Sequence, residues 1–414
     1  MKILSISPYL PSESVGHAGA QLTFRNLKSL AKNHRIKLLC FINRDEQSKT
    51  APLREHNIEF ESILFNRNTN GTFLSKLFNN LIPSVRALVK MEPLSATKYD
   101  KTGMNELVKK AALEFKPDVM HIEYNVMHHY ARLLPAIPKI LTQHDVTTKA
   151  KEREYQSSRA LIPRLCHWIA YHQWNRYESR LLRKFDTVIT VTAEDKDYAS
   201  RWQALPPIEV IPPQISVAAI HEVPQIPHSI CFVGSFNRRP NNQALRIIRR
   251  KIFPEIKKKI PEAKLRIAGK YLSNSAIKEI QKLDGAEYFG FVENIDEFIA
   301  SSSLFLAPIF SGAGLKMKVT HALACGTPVL TTSVGAEGIP LNEEEGLCVR
   351  DDVDAMIDKC ASLLSAGEYL NKAGRAGRKR VMQIFAPEKI EAKLLRLYSD
   401  VLKATPKEAP LLLD

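Results

Sequence analysis

The sequence predicts an α/β fold built from two successive domains, each organised around a parallel β-sheet. Short apolar runs of strand length alternate with longer segments of helical periodicity in both halves of the chain. A glycine-bearing loop follows the first strand, and a second glycine turn lies late in the chain. A proline-dense stretch at 206–213 separates the halves, and 414 residues are enough for two domains of ordinary size.

The first half opens with a strand, a loop, a helix and a second strand, as a doubly wound domain does. The loop, residues 8–20, is polar and contains Gly16 and Gly19. The predicted strands of this half are 2–7, 36–42, 58–64, 119–122, 139–142 and 187–191, and the predicted helices are 21–32, 73–91 with a break near Pro83, 104–115, 147–184 and 193–202.

Polar and ionisable side chains follow two of these strands. Glu123 and Tyr124 come after the strand at 119–122, and Gln143, His144 and Asp145 come after the strand at 139–142. Open α/β sheets bind ligands at the carboxyl ends of their strands. We therefore expect Glu123, His144 and Asp145 to face a cleft, although a lone histidine there is as often structural as functional.

The helical segment at 147–184 is predicted to be interrupted near Pro163. It mixes basic residues with Trp168, Tyr171, Trp174 and Tyr177. Aromatic residues at this spacing usually pack in a core, and a helix at a membrane interface is the alternative.

The most informative stretch of the second half runs from 304 to 340. An apolar strand at 304–309 is followed by the turn Ser311-Gly312-Ala313-Gly314 and then by a helical pattern over 315–324. A helix that begins after a glycine turn presents free backbone N–H groups and the positive end of its dipole. Such a turn suits a diphosphate, with Lys316 as a mobile positive charge, and a plain tight turn is the alternative. The other predicted elements are strands at 229–233, 264–268, 288–292 and 329–330 and helices at 242–260, 276–283, 295–300, 352–364, 368–382 and 387–402.

The chain carries 59 basic and 44 acidic residues, which gives a formal net charge of +15. The excess gathers in three stretches, 153–184, 246–270 and 372–380. Such stretches suit an anionic membrane surface, a phosphorylated substrate or nucleic acid, and a merely solvated basic surface explains any one of them as well. Because no nucleic-acid-binding motif accompanies them, we expect no nucleic-acid partner.

The cysteines and the N-terminus predict the compartment. The six cysteines are dispersed without a CxxC or His–Cys cluster, which is typical of core thiols in a reducing compartment. The apolar start is too short for a signal peptide, and no window is apolar enough to span a bilayer. We expect a cytoplasmic protein.

Three segments resemble the retaining glycosyltransferases of family 4, also called group 1, which have two Rossmann-like domains facing a cleft (the GT-B fold). The segments are GAGLKMKVTHALACGTPVLTTSVGAEGI, ICFVGSFNRRPNNQAL and YFGFVEN. The resemblance is strong over 229–340 and looser before that. It implies an N-terminal acceptor-side domain at 1–212, a nucleotide-sugar-binding domain at 213–386, and a C-terminal helix at 387–404 that returns to the N-terminal domain.

The resemblance also implies roles for single residues. His144 and Lys316 are implied as catalytic, and Gly16, Glu123 and Tyr124 as acceptor-side. The implied donor-binding residues are Gly19, Gly234, Ser235, Arg238, Val292, Gly312, Ala313, Gly314, Leu315 and His321.

The chain departs from the family pattern at both ends of the donor site. Ala313 and His321 replace the family's paired glutamates, which contact the donor sugar and the ribose. Ser235 and Pro240 stand where an arginine and a lysine usually hold the diphosphate, and Arg238, Arg239 or Lys316 would compensate.

The implied activity is transfer of a sugar, with retention of configuration, from a nucleotide-diphosphate sugar to a saccharide or lipid-linked acceptor in bacterial cell-surface polysaccharide synthesis. It implies no cofactor and no required metal. The enzyme would be cytoplasmic, held peripherally on the inner face of the membrane if the acceptor is a lipid. Two alternatives remain open: a sugar-nucleotide epimerase of the same fold, and a non-catalytic protein that binds nucleotide sugars.

Overall fold

The computed structural model of the protein describes residues 1–13, 15, 18–65, 92–215, 217 and 223–404. The chain divides into two compact units. The first comprises residues 1–214 together with the chain from 388 onwards, and the second comprises 215–387. The sequence places these boundaries at 212/213 and 386/387. Gly16 and the predicted helix at 73–91 lie outside the described residues.

The first unit is built on a seven-stranded sheet in the order β3-β2-β1-β4-β5-β6-β7. Neighbouring strands are parallel throughout. The strands are β1 (Lys2–Ser7), β2 (Arg35–Ile42), β3 (Ile58–Leu64), β4 (Val119–Glu123), β5 (Lys139–Gln143), β6 (Thr187–Thr190) and β7 (Ile208–Val210).

Helices cover this sheet and bury two apolar clusters. The helices are α1 (Ala18–Ala31), α2 (Ala51–Glu55), α3 (Leu94–Thr97), α4 (Thr102–Glu114), α5 (Thr147–Ser157), α6 (Leu161–Leu181) and α7 (Ala193–Ala199), with 3₁₀ turns at Arg44–Lys49, Asn125–Leu133 and Leu182–Lys184. The last helix of the described residues, Pro387–Ala404, belongs to the same unit from Glu388 onwards, and its Ile390, Leu394 and Tyr398 are buried in a cluster with Ile3 and Leu38.

The second unit has a six-stranded sheet in the order β10-β9-β8-β11-β12-β13, again parallel. Its strands are β8 (Ile226–Val233), β9 (Lys264–Ala268), β10 (Ala286–Gly290), β11 (Ser302–Ala307), β12 (Val329–Thr331) and β13 (Leu347–Val349). Its helices are α8 (Arg239–Ile247), α9 (Phe253–Lys259), α10 (Asn274–Gln281), α11 (Ile295–Ala300), α12 (Met317–Ala324), α13 (Ser333–Ala336), α14 (Val353–Leu364) and α15 (Gly367–Ile384). A π turn at Ile248–Ile252 joins α8 to α9. The helix Pro387–Ala404 is called α16. Two parallel sheets with flanking helices confirm the predicted fold class.

The predicted helical segment at 147–184 is two helices, so its predicted interruption is confirmed and lies just before Pro163. The chain leaves helical conformation at residues 158–160, and Pro163 is the third residue of α6. A proline is tolerated there because the first N–H groups of a helix have no partner within the helix. Residues 147–184 therefore form a hairpin of two helices.

Two short edge strands were not predicted, and several of the predicted helices begin up to three residues away from the expected start. β7 and β13 are three residues long and lie at the edges of their sheets. Such short runs give no clear alternation, and β7 adjoins prolines that edge strands tolerate. The glycine-turn helix α12 begins at Met317 rather than at 315, and α8 begins at Arg239 rather than at 242.

Among the described residues, no helix combines the length and the hydropathy needed to cross a bilayer.

Candidate functional site

Each sheet has a switch point, where the chain proceeds from neighbouring strands to opposite sides of the sheet. It lies between β1 and β4 in the first unit and between β8 and β11 in the second. Loops diverge from the carboxyl ends of such strands, and open α/β sheets bind ligands in the crevice they leave. Glu123 ends β4, and the glycine turn follows β11, so residues predicted from the sequence lie at both switch points.

In the first unit, His144 and Glu123 form a buried pair. The Nε2 atom of His144 lies 2.8 Å from Oε2 of Glu123, and their side chains are 9% and 2% exposed. Burial alone would raise the pKa of Glu123, but His121, His144 and Thr23 together hold that pKa below its ordinary value. Glu123 is therefore a carboxylate near neutral pH that accepts the Nε2 proton of His144. Whenever the imidazole is neutral, this contact leaves its lone pair on Nδ1.

Tyr124 and Gly19 fix the position of the imidazole. The Tyr124 ring stacks on His144 with ring centroids 3.8 Å apart and planes 13° apart. Tyr124 has a positive φ of 70°, which is uncommon for a residue other than glycine. A Cβ atom at Gly19 would overlap the Tyr124 hydroxyl and would lie 3.3 Å from Nδ1 of His144. Glycine at 19 is thus required for close packing against the stacked pair.

A second histidine links this pair to the C-terminal helix. Nε2 of His121 lies 2.6 Å from the Thr142 hydroxyl and 3.7 Å from Oε1 of Glu123. Nδ1 of His121 is hydrogen-bonded to the hydroxyl of Tyr398, which is fully buried on α16. Burial lowers the pKa of His121, against the opposing effect of the Glu123 carboxylate. Because these contacts join residues far apart in the chain, no local pattern predicts them.

Glu178, on α6, organises the chain on both sides of His144. Its fully buried carboxylate accepts hydrogen bonds from the backbone N–H groups of Thr147 and Thr148, at 3.0 and 2.8 Å. It also accepts from the Thr148 hydroxyl at 2.6 Å and from the side-chain amides of Asn125 and Gln143 at 2.7 and 2.9 Å. Burial raises the pKa of Glu178 to about 7, against the effect of the Thr148 and Thr147 hydrogen bonds. Glu178 is a positioning residue that sequence reasoning missed.

In the second unit, Lys318 lies beside the loop that follows β8. Its Nζ atom donates to the carbonyl of Val233 at 2.9 Å and to Oδ1 of Asn241 at 2.6 Å. A Cβ atom at Gly234 would lie 2.8 Å from this ammonium and 2.9 Å from Nδ2 of Asn241. The absence of a side chain at Gly234 therefore leaves the backbone loop in close contact with the cation. Ser235 joins the group, because its carbonyl accepts from Asn241 at 2.8 Å.

Sequence reasoning also missed Lys318, although a signal was present. Lys318 is the second residue of α12, where the helix dipole disfavours a positive charge unless an anion is nearby. Burial lowers the pKa of Lys318 to about 7. A cation at this place, in a helix that follows a glycine turn, indicates a site for an anionic group.

The glycine turn has the predicted conformation, but Lys316 is not the mobile charge that we expected. Gly312 and Gly314 have φ values of 103° and 72°, which other residues rarely adopt. The Lys316 ammonium donates to the carbonyl oxygens of Gly314 at 2.6 Å and of Ala313 at 3.2 Å. It also lies 3.5 Å from a carboxylate oxygen of the buried Glu337. Lys316 therefore stabilises the turn by hydrogen bonds to its own carbonyl groups.

The remaining predicted residues divide into contacts and surface positions. The Ser311 hydroxyl lies 3.1 Å from Oε1 of Gln243, so the glycine turn touches α8. Arg238 is exposed at the N-cap of α8, where its side chain makes no capping hydrogen bond. Val292 and Leu315 are partly buried against the core of the second unit.

His321, in place of the family's ribose-contacting glutamate, is bound by Asp296. Its Nε2 atom lies 2.7 Å from Oδ1 of Asp296. Ligand atoms that could hold a metal lie within 4.8 Å of one another in two groups of the described residues, namely Asp296, His321 and Cys325, and Glu92, His128 and His129. In the first group, His321 and Asp296 are already in direct contact with each other. The expectation that no metal is required stays a prediction.

Two protein-family profiles match the chain, one in each half. The profile described as Glycosyltransferase Family 4 matches residues 30–219, and the profile described as Glycosyl transferases group 1 matches residues 227–366. Together with the two doubly wound units and their ligand edges, these matches define a protein of the GT-B fold class. The chain belongs to the group 1, or family 4, glycosyltransferases.

Solved structures share this fold at low sequence identity. Sucrose-phosphate synthase from Thermosynechococcus elongatus is 16% identical, with 98% of this chain and 100% of that chain covered and a TM-score of 0.71. Anabaena Alr3699/HepE in complex with UDP and glucose is 12% identical, with 97% and 100% covered and a TM-score of 0.64. A mutant of S. aureus TarM in complex with Fondaparinux, alpha-GlcNAc-glycerol and UDP is 9% identical, with 96% and 100% covered and a TM-score of 0.67.

One curated relative is described by the genetic region in which it is encoded. A Klebsiella pneumoniae protein described as an uncharacterized 44.6 kDa protein in the cps region is 24% identical over 228 residues. The match covers 53% of this chain and 58% of that protein, so it spans less than two thirds of the relative.

Proposed function

We propose that the protein transfers a hexosyl group, with retention of configuration, from a nucleotide-diphosphate sugar to a saccharide or lipid-linked acceptor. One observation carries the proposal: Lys318 touches the loop at Gly234 from the start of the helix that follows the glycine turn, where a diphosphate would meet backbone N–H groups and a cation. No metal ion is needed to neutralise the leaving group there, because the second unit supplies the positive charge itself.

The chemistry sets two demands on the chain, and the first concerns the leaving diphosphate. Negative charge grows on it as the bond to the sugar breaks, and prepositioned donors stabilise that charge most effectively. Lys318 has three N–H donors, two of which meet Val233 and Asn241, and its ammonium lies 4.7 Å from the centre of the Phe232 ring. In this proposal the third donor turns to a phosphate oxygen when the diphosphate binds. Lys316 acts indirectly, because it holds the turn that presents the backbone donors.

The second demand concerns the sugar, which develops positive charge. We assign the catalytic role to His144, held between the Tyr124 ring and the Glu123 carboxylate. Its Nδ1 lone pair is available to a sugar hydroxyl or to the developing cation, because Nε2 is committed to Glu123. The acceptor would bind on the same unit near Glu123 and Tyr124.

The comparisons support the substrate class and the biological setting of this proposal. One structural neighbour was crystallised with UDP and glucose, and another with UDP and a GlcNAc-glycerol compound. The Klebsiella relative lies in a cps region. We therefore place the transfer in the assembly of a cell-surface polysaccharide on the cytoplasmic side of the membrane.

A thermal-shift panel of UDP-, GDP-, ADP- and dTDP-linked sugars tests the proposal. A donor present at roughly 100 times its Kd should stabilise the protein by about 2.7 kcal/mol. Addition of a saccharide or lipid-linked acceptor to the stabilising donor should then release the nucleoside diphosphate. If no sugar nucleotide stabilises the protein, the proposal is wrong. An epimerised donor formed without acceptor would instead identify an epimerase, and binding without turnover a non-catalytic binding protein.

The affinity for the sugar-nucleotide donor should fall as the pH rises above about 7. Lys318 has a pKa of about 7 without ligand, and a bound diphosphate favours its charged form and raises that pKa. Binding above pH 7 therefore takes up a proton, so the Kd should rise by up to about tenfold per pH unit until the pKa of the complex is reached. Calorimetric titrations in buffers of different ionisation enthalpy measure both the Kd and the proton uptake.

Lys318→Met should weaken donor binding and remove most of this pH dependence. The exposed Lys372, on α15, supplies the matched control, and Lys372→Met should behave as the wild type does. An unchanged pH profile in Lys318→Met would show that another group controls donor binding.

A further inference from the structure

The first turns of α6 expose a continuous apolar face. Leu161, Ile162, Leu165, Trp168 and Ile169 are 86%, 78%, 58%, 44% and 53% exposed. Their spacing of one, four, seven and eight residues from Leu161 puts them on one side of the helix. Single exposed apolar residues are ordinary, but five large ones on one helical face mark an interaction surface. We call these five residues the α6 tip face.

The tip face lies at the far end of a helical hairpin. α5 leaves the sheet three residues after His144, runs for 11 residues or about 16 Å, and turns at 158–160 into α6. The second half of α6 returns to the core, where Trp174, Tyr177 and Leu181 are buried. The apolar residues of that half are explained by their packing in the core. The apolar residues of the tip face are exposed, so core packing does not explain them.

Arginines flank the tip face. Arg159 and Arg164 are exposed and Arg153 is half-buried, and the Arg164 guanidinium lies 5.3 Å from the centre of the Tyr155 ring. Between 149 and 172 the sequence has five Lys and Arg residues against two glutamates. An apolar face edged by basic residues, with a tryptophan among its members, is the pattern of a helix that lies at the surface of an anionic membrane.

We infer that the α6 tip face docks on an anionic lipid bilayer, with the five apolar side chains entering the headgroup region and the arginines contacting lipid phosphates. The charges favour this occupant over a second copy of the chain. A symmetric contact between two tips would bring Arg159 and Arg164 against the same residues of the partner copy. The inference of docking depends only on the properties of the tip face. Its benefit, access to a membrane-held acceptor, rests on the proposed function.

A single-site label provides the test, because the tip carries the one exposed cysteine of the chain. Cys166 is exposed and the other five cysteines are buried. The full-length protein labelled at Cys166 with a polarity-sensitive fluorophore should show a blue shift with vesicles of phosphatidylcholine and phosphatidylglycerol. It should float with these vesicles at low salt, and both signals should weaken at high salt and with phosphatidylcholine alone. Neither readout depends on catalysis, so failure of docking is distinguishable from failure of the proposed function.

Paired substitutions assign the docking to the tip. Leu165→Glu with Ile169→Glu should lower vesicle affinity by at least about tenfold, because two apolar side chains no longer enter the lipid. Arg159→Glu with Arg164→Glu should remove the preference for anionic lipid. Leu113→Glu, at a single exposed leucine on α4, is the matched control and should bind as the wild type does. The circular dichroism spectra of these variants should match that of the wild type, because every substituted residue is exposed.

Three outcomes overturn the inference. The first is absence of flotation with anionic vesicles, and the second is flotation that survives both paired substitutions. The third is a dimer by light scattering that the Leu165→Glu, Ile169→Glu protein has lost, which would make a second copy the occupant of the tip face.

Discussion

Replacement of His144 by alanine should lower the rate of sugar transfer by roughly 10²–10³-fold, the loss seen when one preorganised transition-state contact is removed. The imidazole is held on one face by the Tyr124 ring and at Nε2 by Glu123, so its Nδ1 atom is presented in a fixed direction. The effect should appear mainly in kcat, because the proposed contact of His144 is with the reacting sugar and not with the diphosphate. Steady-state assays of nucleoside-diphosphate release measure it.

His144→Gln separates this catalytic role from a structural one. A glutamine amide can still donate to Glu123, and so it should avoid most of the stability cost of leaving that carboxylate without its partner. The glutamine has no imidazole lone pair at the Nδ1 position, so transfer should stay as slow as in His144→Ala. Recovery of activity in His144→Gln would show that His144 only supports Glu123.

The parts of the fold that follow from local periodicity could be predicted from the sequence. Apolar runs gave the central strands, and the rule that ligands bind at the carboxyl ends of parallel strands placed Glu123 and His144 at one edge. That edge is where the structure brings them within 2.8 Å. The glycine turn was predicted for the same reason, since Gly312 and Gly314 adopt backbone angles that other residues avoid.

Partners that are distant in the chain could not be predicted in this way. Nothing local in Tyr398 or Glu178 shows that one binds His121 and the other binds the start of α5. Lys318 is a different case, because its position in the first turn of α12 conflicts with the helix dipole. This conflict could have identified Lys318 as a candidate site residue from the sequence, but the prediction named Lys316 instead.

Glu178→Ala should lower the free energy of unfolding by roughly 3–5 kcal/mol, as expected when a buried charged partner of several donors is removed. The two backbone N–H groups at the start of α5 and the amides of Asn125 and Gln143 would then lie buried without their acceptor. Urea unfolding measures the loss. Because Gln143 and Thr147 flank His144, the imidazole should also lose its fixed position, and transfer should slow even at temperatures where the variant is fully folded.

Asp195→Asn is the matched control that separates stability from position. Asp195 is also a fully buried carboxylate, but it meets α5 through Lys149, at 3.0 Å and five residues beyond His144. Loss of this charge should destabilise the protein and leave the rate of the folded enzyme nearly unchanged, whereas Glu178→Gln should slow transfer because an amide nitrogen cannot accept the donors that meet the second carboxylate oxygen. Equal rates in Glu178→Gln and Asp195→Asn would mean that Glu178 contributes to folding alone. A slower Glu178→Gln would mean that Glu178, on the helix that also carries the α6 tip face, sets the geometry of His144.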